Sequence, residues 1–153
     1  ATDEGDVIGS LTDVNLASVS SFDVTGLTAV EAFTATGTFF TVDLTSQVLM
    51  DYLVLTSPFL RTVDITNSPL IRYVQITAPL INFYFVAILG FETVLIVGGS
   101  LDEATVDAVF NALDPTVTGK FSTIQGGTNA APTAASLTNR NAYIANGNTI
   151  THN

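Results

Sequence analysis

The chain has 153 residues, of which 47% are hydrophobic and 12% charged, and it contains no cysteine. That is enough apolar material for one folded domain, and it excludes a disulfide framework, a thiolate nucleophile and a Cys-based zinc site. With 14 acidic against 4 basic residues the net charge is -10, which disfavours nucleic-acid phosphate and anionic membrane surfaces as partners.

Residues 1–12 are rich in Gly, Asp and Ser and read as a lead-in. The chain begins Ala1-Thr2-Asp3 with no Met and no signal-peptide pattern, which points to removal of something upstream. From Val14 to Val97 the sequence repeats. One phrase reads Phe22-Asp23-Val24-Thr25, Val42-Asp43-Leu44-Thr45 and Val63-Asp64-Ile65-Thr66, with starts 20 and 21 residues apart. A second series runs through Val14-Asn15-Leu16-Ala17, Phe33-Thr34-Ala35-Thr36, Leu53-Val54-Leu55-Thr56, Val74-Gln75-Ile76-Thr77 and Leu95-Ile96-Val97-Gly98. Its steps are 19, 20, 21 and 21. A fixed period in this range marks a solenoid.

Each half-repeat reads as a short alternating strand. In Val63-Asp64-Ile65 the two apolar residues face the core and Asp64 faces solvent. Thr25-Gly26, Thr36-Gly37, Ser57-Pro58, Asn67-Ser68-Pro69 and Ala78-Pro79 are turn signals. Each Pro lies past a strand end, where no ladder donor is needed. The next copy of the Asp phrase is expected at Phe85-Val86-Ala87-Ile88, with Val in place of Asp. The apolar stretch 80–97 is broken by Asn82, Gly90 and Glu92; it reads as buried strands rather than a membrane span.

The period changes after Gly98-Gly99. Residues 100–113 read as an amphipathic helix, with Ser100 and Glu103 at capping-box spacing and Asp114-Pro115 as its stop. A strand is expected over 120–125, then a loop at Gly126-Gly127-Thr128-Asn129. A second helix is expected over 133–145, with Pro132 before it and Gly147 after it, and a closing strand over 148–152. The division is a repeat solenoid over 1–98 and a C-terminal cap over 99–153, joined as one continuous domain. The cap covers the raw apolar end and open strand edges of the last coil. The fold class is thus a β-rich solenoid with parallel strands on two faces and a mixed α/β cap.

The run Leu60-Arg61-Thr62-Val63-Asp64-Ile65-Thr66-Asn67-Ser68-Pro69-Leu70 resembles the phrase L-x-x-L-D-L-S-x-x-P-x-L. That phrase recurs in short leucine-rich-repeat variants of bacterial surface and phage proteins. Residues 119–133 and 147–151 are similar to their G-x-I-x-G-G-x-N-A-A-P-T stretch and closing G-x-T-[VI]-T strand. Asn67 is the residue near the place of such repeats' asparagine ladder. The resemblance covers nearly the whole chain and implies a leucine-rich-repeat-like, non-enzymatic recognition or scaffold module.

Asp23, Asp43 and Asp64 should stack in one outward column, flanked by hydroxyl rows Ser21, Thr41, Thr62 and Thr25, Thr45, Thr66. They are the candidates for a cation, and oxygen ligands would suit calcium. A flat row does not converge as a calcium shell does, so solvated repeat positions are the favoured reading. The other face carries Tyr52 and Tyr73 in register, with Val54, Gln75 and Ile96 as outward neighbours, while Tyr84, Val86 and Ile88 extend the first face. Exposed aromatics on a rigid ladder suit a protein or glycan contact; burial under a neighbouring coil, the cap or a subunit is the competing reading.

Catalysis finds no footing. The single His, His152, is next to the chain's last residue, and no Ser or Thr has a His partner for a triad. Asp102 and Glu103 balance the dipole of a helix's first turn. Gly126-Gly127 lacks the Lys and Ser of a phosphate loop, and the same two acids would repel an anion at Gly98-Gly99. The expectation is a non-enzymatic recognition or attachment module, extracellular, on a cell surface or on a virion. Tyr52, Tyr73 and Tyr84 would be anchors, with Asp43, Asp64 and Gln75 as polar partners. The partner would be a protein, a glycan or a second copy, not nucleic acid and not a membrane interior. The rival expectations are a capsid-decorating or filament subunit, and a polysaccharide hydrolase.

Overall fold

The computed structural model describes residues 13–20, 24, 27, 29–86 and 90–153. Alternation decides the local structure. In Tyr52–Thr56, Leu53 and Leu55 are buried while Tyr52, Val54 and Thr56 point outward, so five residues cover one face of the core. Strands β1 (Asp13–Val19), β2 (Ala32–Gly37), β4 (Tyr52–Thr56), β6 (Tyr73–Thr77), β8 (Thr93–Val97), β9 (Phe121–Gln125) and β10 (Thr149–His152) form a seven-stranded sheet in that order. Strands β3 (Thr41–Asp43), β5 (Thr62–Ile65) and β7 (Asn82–Phe85) form a second, three-stranded sheet. Every pairing is parallel. The molecule is a parallel β-solenoid with a small helical C-terminal region.

Columns of equivalent side chains fill the interior. Phe33, Leu53, Val74 and Val94 stack along the first sheet, and Val42, Val63 and Phe83 along the second. Phe39, Leu60, Leu80 and Leu101 fill one corner and Val30, Met50, Ile71 and Phe91 the other, all buried. Polar side chains serve the turn carbonyls that such corners strand. Ser57 Oγ donates to the Phe39 carbonyl at 2.7 Å, Ser68 Oγ to that of Gln47 at 2.8 Å, and Gln47 Nε2 to those of Val24 and Leu27 at 2.8 Å each. Asn67, expected at this place, is exposed; the next residue, Ser68, makes the bond.

Two expected registers are corrected. Val74 pairs with Val94, not Leu95, and Val63 pairs with Phe83, not Phe85. A slip of one residue turns a strand over. Ile96, expected outward beside Val54 and Gln75, is therefore fully buried, and Leu95 takes the outward place. The run Val94-Leu95-Ile96-Val97 is apolar at every position, so alternation could not choose its face. In the second sheet Tyr84 occupies the place of Asp43 and Asp64, so the third phrase is Phe83-Tyr84-Phe85. Asp23, Ser21, Thr25 and Ile88 lie outside the described residues.

The helices continue the winding. Helices α1 (Glu103–Asn111) and α2 (Leu137–Ala145) each connect consecutive parallel strands of the first sheet, where earlier coils have a second-sheet strand. The step grows to 28 residues between Thr123 and Thr151. A helix rises about half as far per residue as a strand, so the same span takes more chain. The expected capping box is replaced by Asp102, whose Oδ1 accepts from Thr105 N at 2.8 Å. Ser100 Oγ instead bonds Thr128 Oγ1 at 2.8 Å. Helix α1 ends at Asn111, before Asp114, because Leu113 bridges to Phe91 in a parallel pairing. Gly127 has φ +66, and a Cβ there would lie 2.1 Å from the Gly99 carbonyl oxygen, so the loop passes this close only as glycine. Among the described residues no helix is long and apolar enough to cross a membrane.

Buried Asp107 fastens the two helices. Its Oδ1 accepts from Thr133 N at 2.8 Å and Ser136 Oγ at 2.6 Å, and its Oδ2 from Thr133 Oγ1. Burial pushes this carboxyl up, but the bonds from Ser136 and Thr133, with Arg140 nearby, outweigh it and hold it below the ordinary carboxylate value. Tyr143, fully buried, donates to the Glu92 carbonyl at 2.7 Å and so ties α2 to the first sheet.

Two outcomes follow. Ile96→Ala should cost about 3 kcal/mol in urea unfolding and Leu95→Ala about 1 kcal/mol or less; the reverse order would restore the 21-residue register. Asp107's folded-state pKa lies below its unfolded value of about 3.9. Its stabilisation is therefore present above about pH 4 and lost as pH falls through the lower folded value. Asp107→Asn should lower stability at pH 7 by about 1–3 kcal/mol and flatten the acid limb of the urea midpoint against pH.

Candidate functional site

The six residues expected at a site fall into two groups. Asp43, Asp64 and Tyr84 share one outward column of the second sheet. Tyr52, Tyr73 and Gln75 lie together on the outward face of the first.

The aspartates are occupied by local structure. Asp43 Oδ1 accepts from Thr45 N at 3.0 Å and Thr45 Oγ1 at 2.7 Å. Asp64 Oδ1 accepts from Thr66 N at 3.0 Å and Thr66 Oγ1 at 2.8 Å. Asp114 does the same with Thr116. The Asp-x-Thr phrase is thus a turn device that ends a strand by offering the backbone a side-chain acceptor. The Thr45 hydroxyl and amide hold the Asp43 carboxyl below its ordinary value. Among the described residues no group of three or more His, Asp or Glu stands together to hold a metal ion.

The first sheet is different. Tyr52 and Tyr73 stack with ring centroids 4.6 Å apart and planes 11° from parallel. Ala32 precedes them in the column and Thr93 follows. Both flanking residues are small; Tyr52 is exposed and Tyr73 half-buried. Tyr73 Oη donates to Gln75 Oε1 at 2.8 Å, and partial burial, then the neighbouring Tyr52, raise the Tyr73 phenol above its ordinary value. The next outward row runs Thr34, Val54, Gln75, Leu95 and Thr123.

Beside the tyrosines stands a charge column. Glu31, Asp51, Arg72, Glu92 and Lys120 each occupy the position just before a strand of the first sheet. Backbone bonds align the first four: Asp51 N to Glu31 O at 2.8 Å, Arg72 N to Asp51 O at 2.9 Å and Glu92 N to Arg72 O at 2.8 Å. Arg72 grips Asp51 bidentately, Nε to Oδ1 and Nη2 to Oδ2 at 2.6 Å each. Its Nη1 reaches Glu92 Oε1 at 3.5 Å, and Lys120 Nζ meets Glu92 Oε2 at 2.6 Å. The bonds and charge of Asp51 hold Arg72 firmly protonated. A shallow cleft of about 230 Å³ lies between this column and the tyrosines.

Sequence reasoning missed the column, although a signal existed. A charge immediately precedes the first outward residue of each strand in Glu31-Ala32, Asp51-Tyr52, Arg72-Tyr73, Glu92-Thr93 and Lys120-Phe121. It also missed Phe40 and Phe59, stacked at 5.3 Å on a corner and both exposed. No family model, no curated protein and no solved structure matches the chain.

The arrangement offers rigid, exposed polar and aromatic groups and no enclosed chamber. Arg72 is 60% exposed, so its pairs should contribute modestly. Arg72→Ala should lower stability by about 1 kcal/mol or less, and the difference should shrink at high salt in paired melts. A larger, salt-independent loss would mean that the column holds the coils together.

Proposed function

We propose that the chain is a non-enzymatic recognition or attachment module, displayed extracellularly, on a cell surface or on a virion. It meets a macromolecular partner, protein or glycan, through the outward face of its first sheet. The observation that carries this reading is the stacked pair of exposed Tyr52 and half-buried Tyr73 beside a fixed ion-pair column. Aromatic groups already held in place lose little freedom on binding, and Tyr and Arg are the residues that most often dominate contact energies. The leucine-rich-repeat kinship belongs to the same proposal. Its support is the 20–21-residue step with Leu60, Val63 and Ile65 turned inward. Calcium has no part in it, because Asp43 and Asp64 already serve Thr45 and Thr66.

One other observation favours a second reading, a structural subunit that associates with copies of itself. Phe40 and Phe59 stack in the open, and Ile81 and Tyr84 are also exposed. Exposed apolar side chains in such number mark contact sites. Sedimentation over a concentration series decides: a monomer at every concentration removes the subunit reading.

The recognition reading is tested by flow cytometry of labelled protein on panels of bacterial and eukaryotic cells. Saturable binding, competed by unlabelled protein, is expected on some of them. The double variant Tyr52→Ala/Tyr73→Ala should weaken it by about tenfold or more, whereas Tyr84→Ala should leave it unchanged. Uncompeted, unsaturable signal on every cell would remove the proposal.

A further inference from the structure

The first-sheet face is chemically narrow enough to name a ligand class, and this inference rests on the recognition reading above. We propose that the cleft beside Tyr73 binds a neutral, polyhydroxylated ligand, a pyranose ring within a glycan chain.

Local charge is the first ground. The chain carries -10 overall and has 4 basic residues, yet Arg72 and Lys120 both stand in this one column, alternating with Asp51 and Glu92. The four that line the cleft sum to zero, while Glu31, at the column's end, lies outside it. An anionic ligand would meet Asp51 and Glu92, and a cationic one Arg72 and Lys120, so neither finds a surface of one sign. Neighbouring hydroxyls match both signs. One donates to a carboxylate oxygen while the next accepts from the adjacent guanidinium or ammonium, and the column offers these alternately at about 4.8 Å per strand.

The aromatic spacing is the second ground. The inner faces of Tyr52 and Tyr73 cover each other, and the outer face of Tyr73 looks across Thr93. Exposed Phe121 opens the next strand two residues before Thr123, as Thr93 opens β8 two residues before its partner Leu95. At full ladder spacing Tyr73 and Phe121 would stand about 9–10 Å apart with Thr93 between them, and farther where Ser122 Oγ takes the bond of Val94 N. A saturated ring seated over Thr93 lies about 4.8 Å from Tyr73, within the usual stacking range, with Phe121 as the wall beyond it. Its C–H faces meet the aromatics while its hydroxyl edge meets Arg72, Glu92 and Lys120. The cleft, about 230 Å³, is too shallow to enclose a small molecule and suits one unit of a polymer lying across the surface.

The test is calorimetric titration with neutral hexasaccharides of glucose, mannose, xylose and N-acetylglucosamine, with heparin and polygalacturonate hexamers as charged probes. At least one neutral hexamer should bind. Tyr73→Ala and Phe121→Ala should each weaken it about tenfold. Thr93→Tyr, which fills the gap and removes no partner, should abolish it, and Tyr84→Ala should change nothing. No neutral binding, tighter binding of a charged hexamer, or full binding by Thr93→Tyr would each overturn the inference. Cell capture that survives periodate cleavage of vicinal diols would sink the glycan assignment and leave the recognition reading standing. Loss of capture after periodate supports both.

Discussion

The structure depends on parallel strands lying on one another in register, about 4.8 Å apart, coil after coil. That constraint places each inward residue over its equivalent, so Phe33, Leu53, Val74 and Val94 form a continuous column. It also places every outward residue over its own equivalent. A core that buries side chains in columns necessarily displays others in columns. The stacked tyrosines and the alternating charges are consequences of the same geometry that fills the interior.

Corners limit how tightly such a winding can be made. Each coil turns between sheets, and every turn leaves backbone carbonyls away from the ladders. Here Ser57, Ser68 and Gln47 supply the missing donors from inside, while Asp43 and Asp64 supply acceptors from outside. This division gives the most regular phrase in the sequence a structural duty. Asp-x-Thr recurs at the ends of β3 and β5, where one oxygen of each carboxylate fixes the turn. The charge column has no such local duty. Asp51, Arg72, Glu92 and Lys120 bond to one another across coils and stay at least partly open to solvent.

The C-terminal region obeys the same rule with different parts. Helices α1 and α2 replace the second-sheet strand in the last two windings, and the first sheet continues through β9 and β10 without a change of direction. Asp107 and Tyr143 then lock the helices to each other and to the sheet. The aromatic gap at Thr93 lies where these regions meet, because Tyr73 belongs to a coil with two strands and Phe121 to one that contains a helix.

By itself the sequence determined the period, the two-faced alternation of the strands, the pairing of Tyr52 with Tyr73 and of Asp43 with Asp64, and the presence of two late helices. These follow from spacing and polarity, which a chain carries locally. Tertiary structure alone decided the face of Val94-Leu95-Ile96-Val97, the placing of Tyr84 beneath the aspartates, the helix cap at Asp102 and the assembly of Asp51, Arg72, Glu92 and Lys120 into one column. An unbroken apolar run has no preferred face until its neighbours fix the register. Residues some 20 or 28 positions apart have no contact to read until the coils between them are wound.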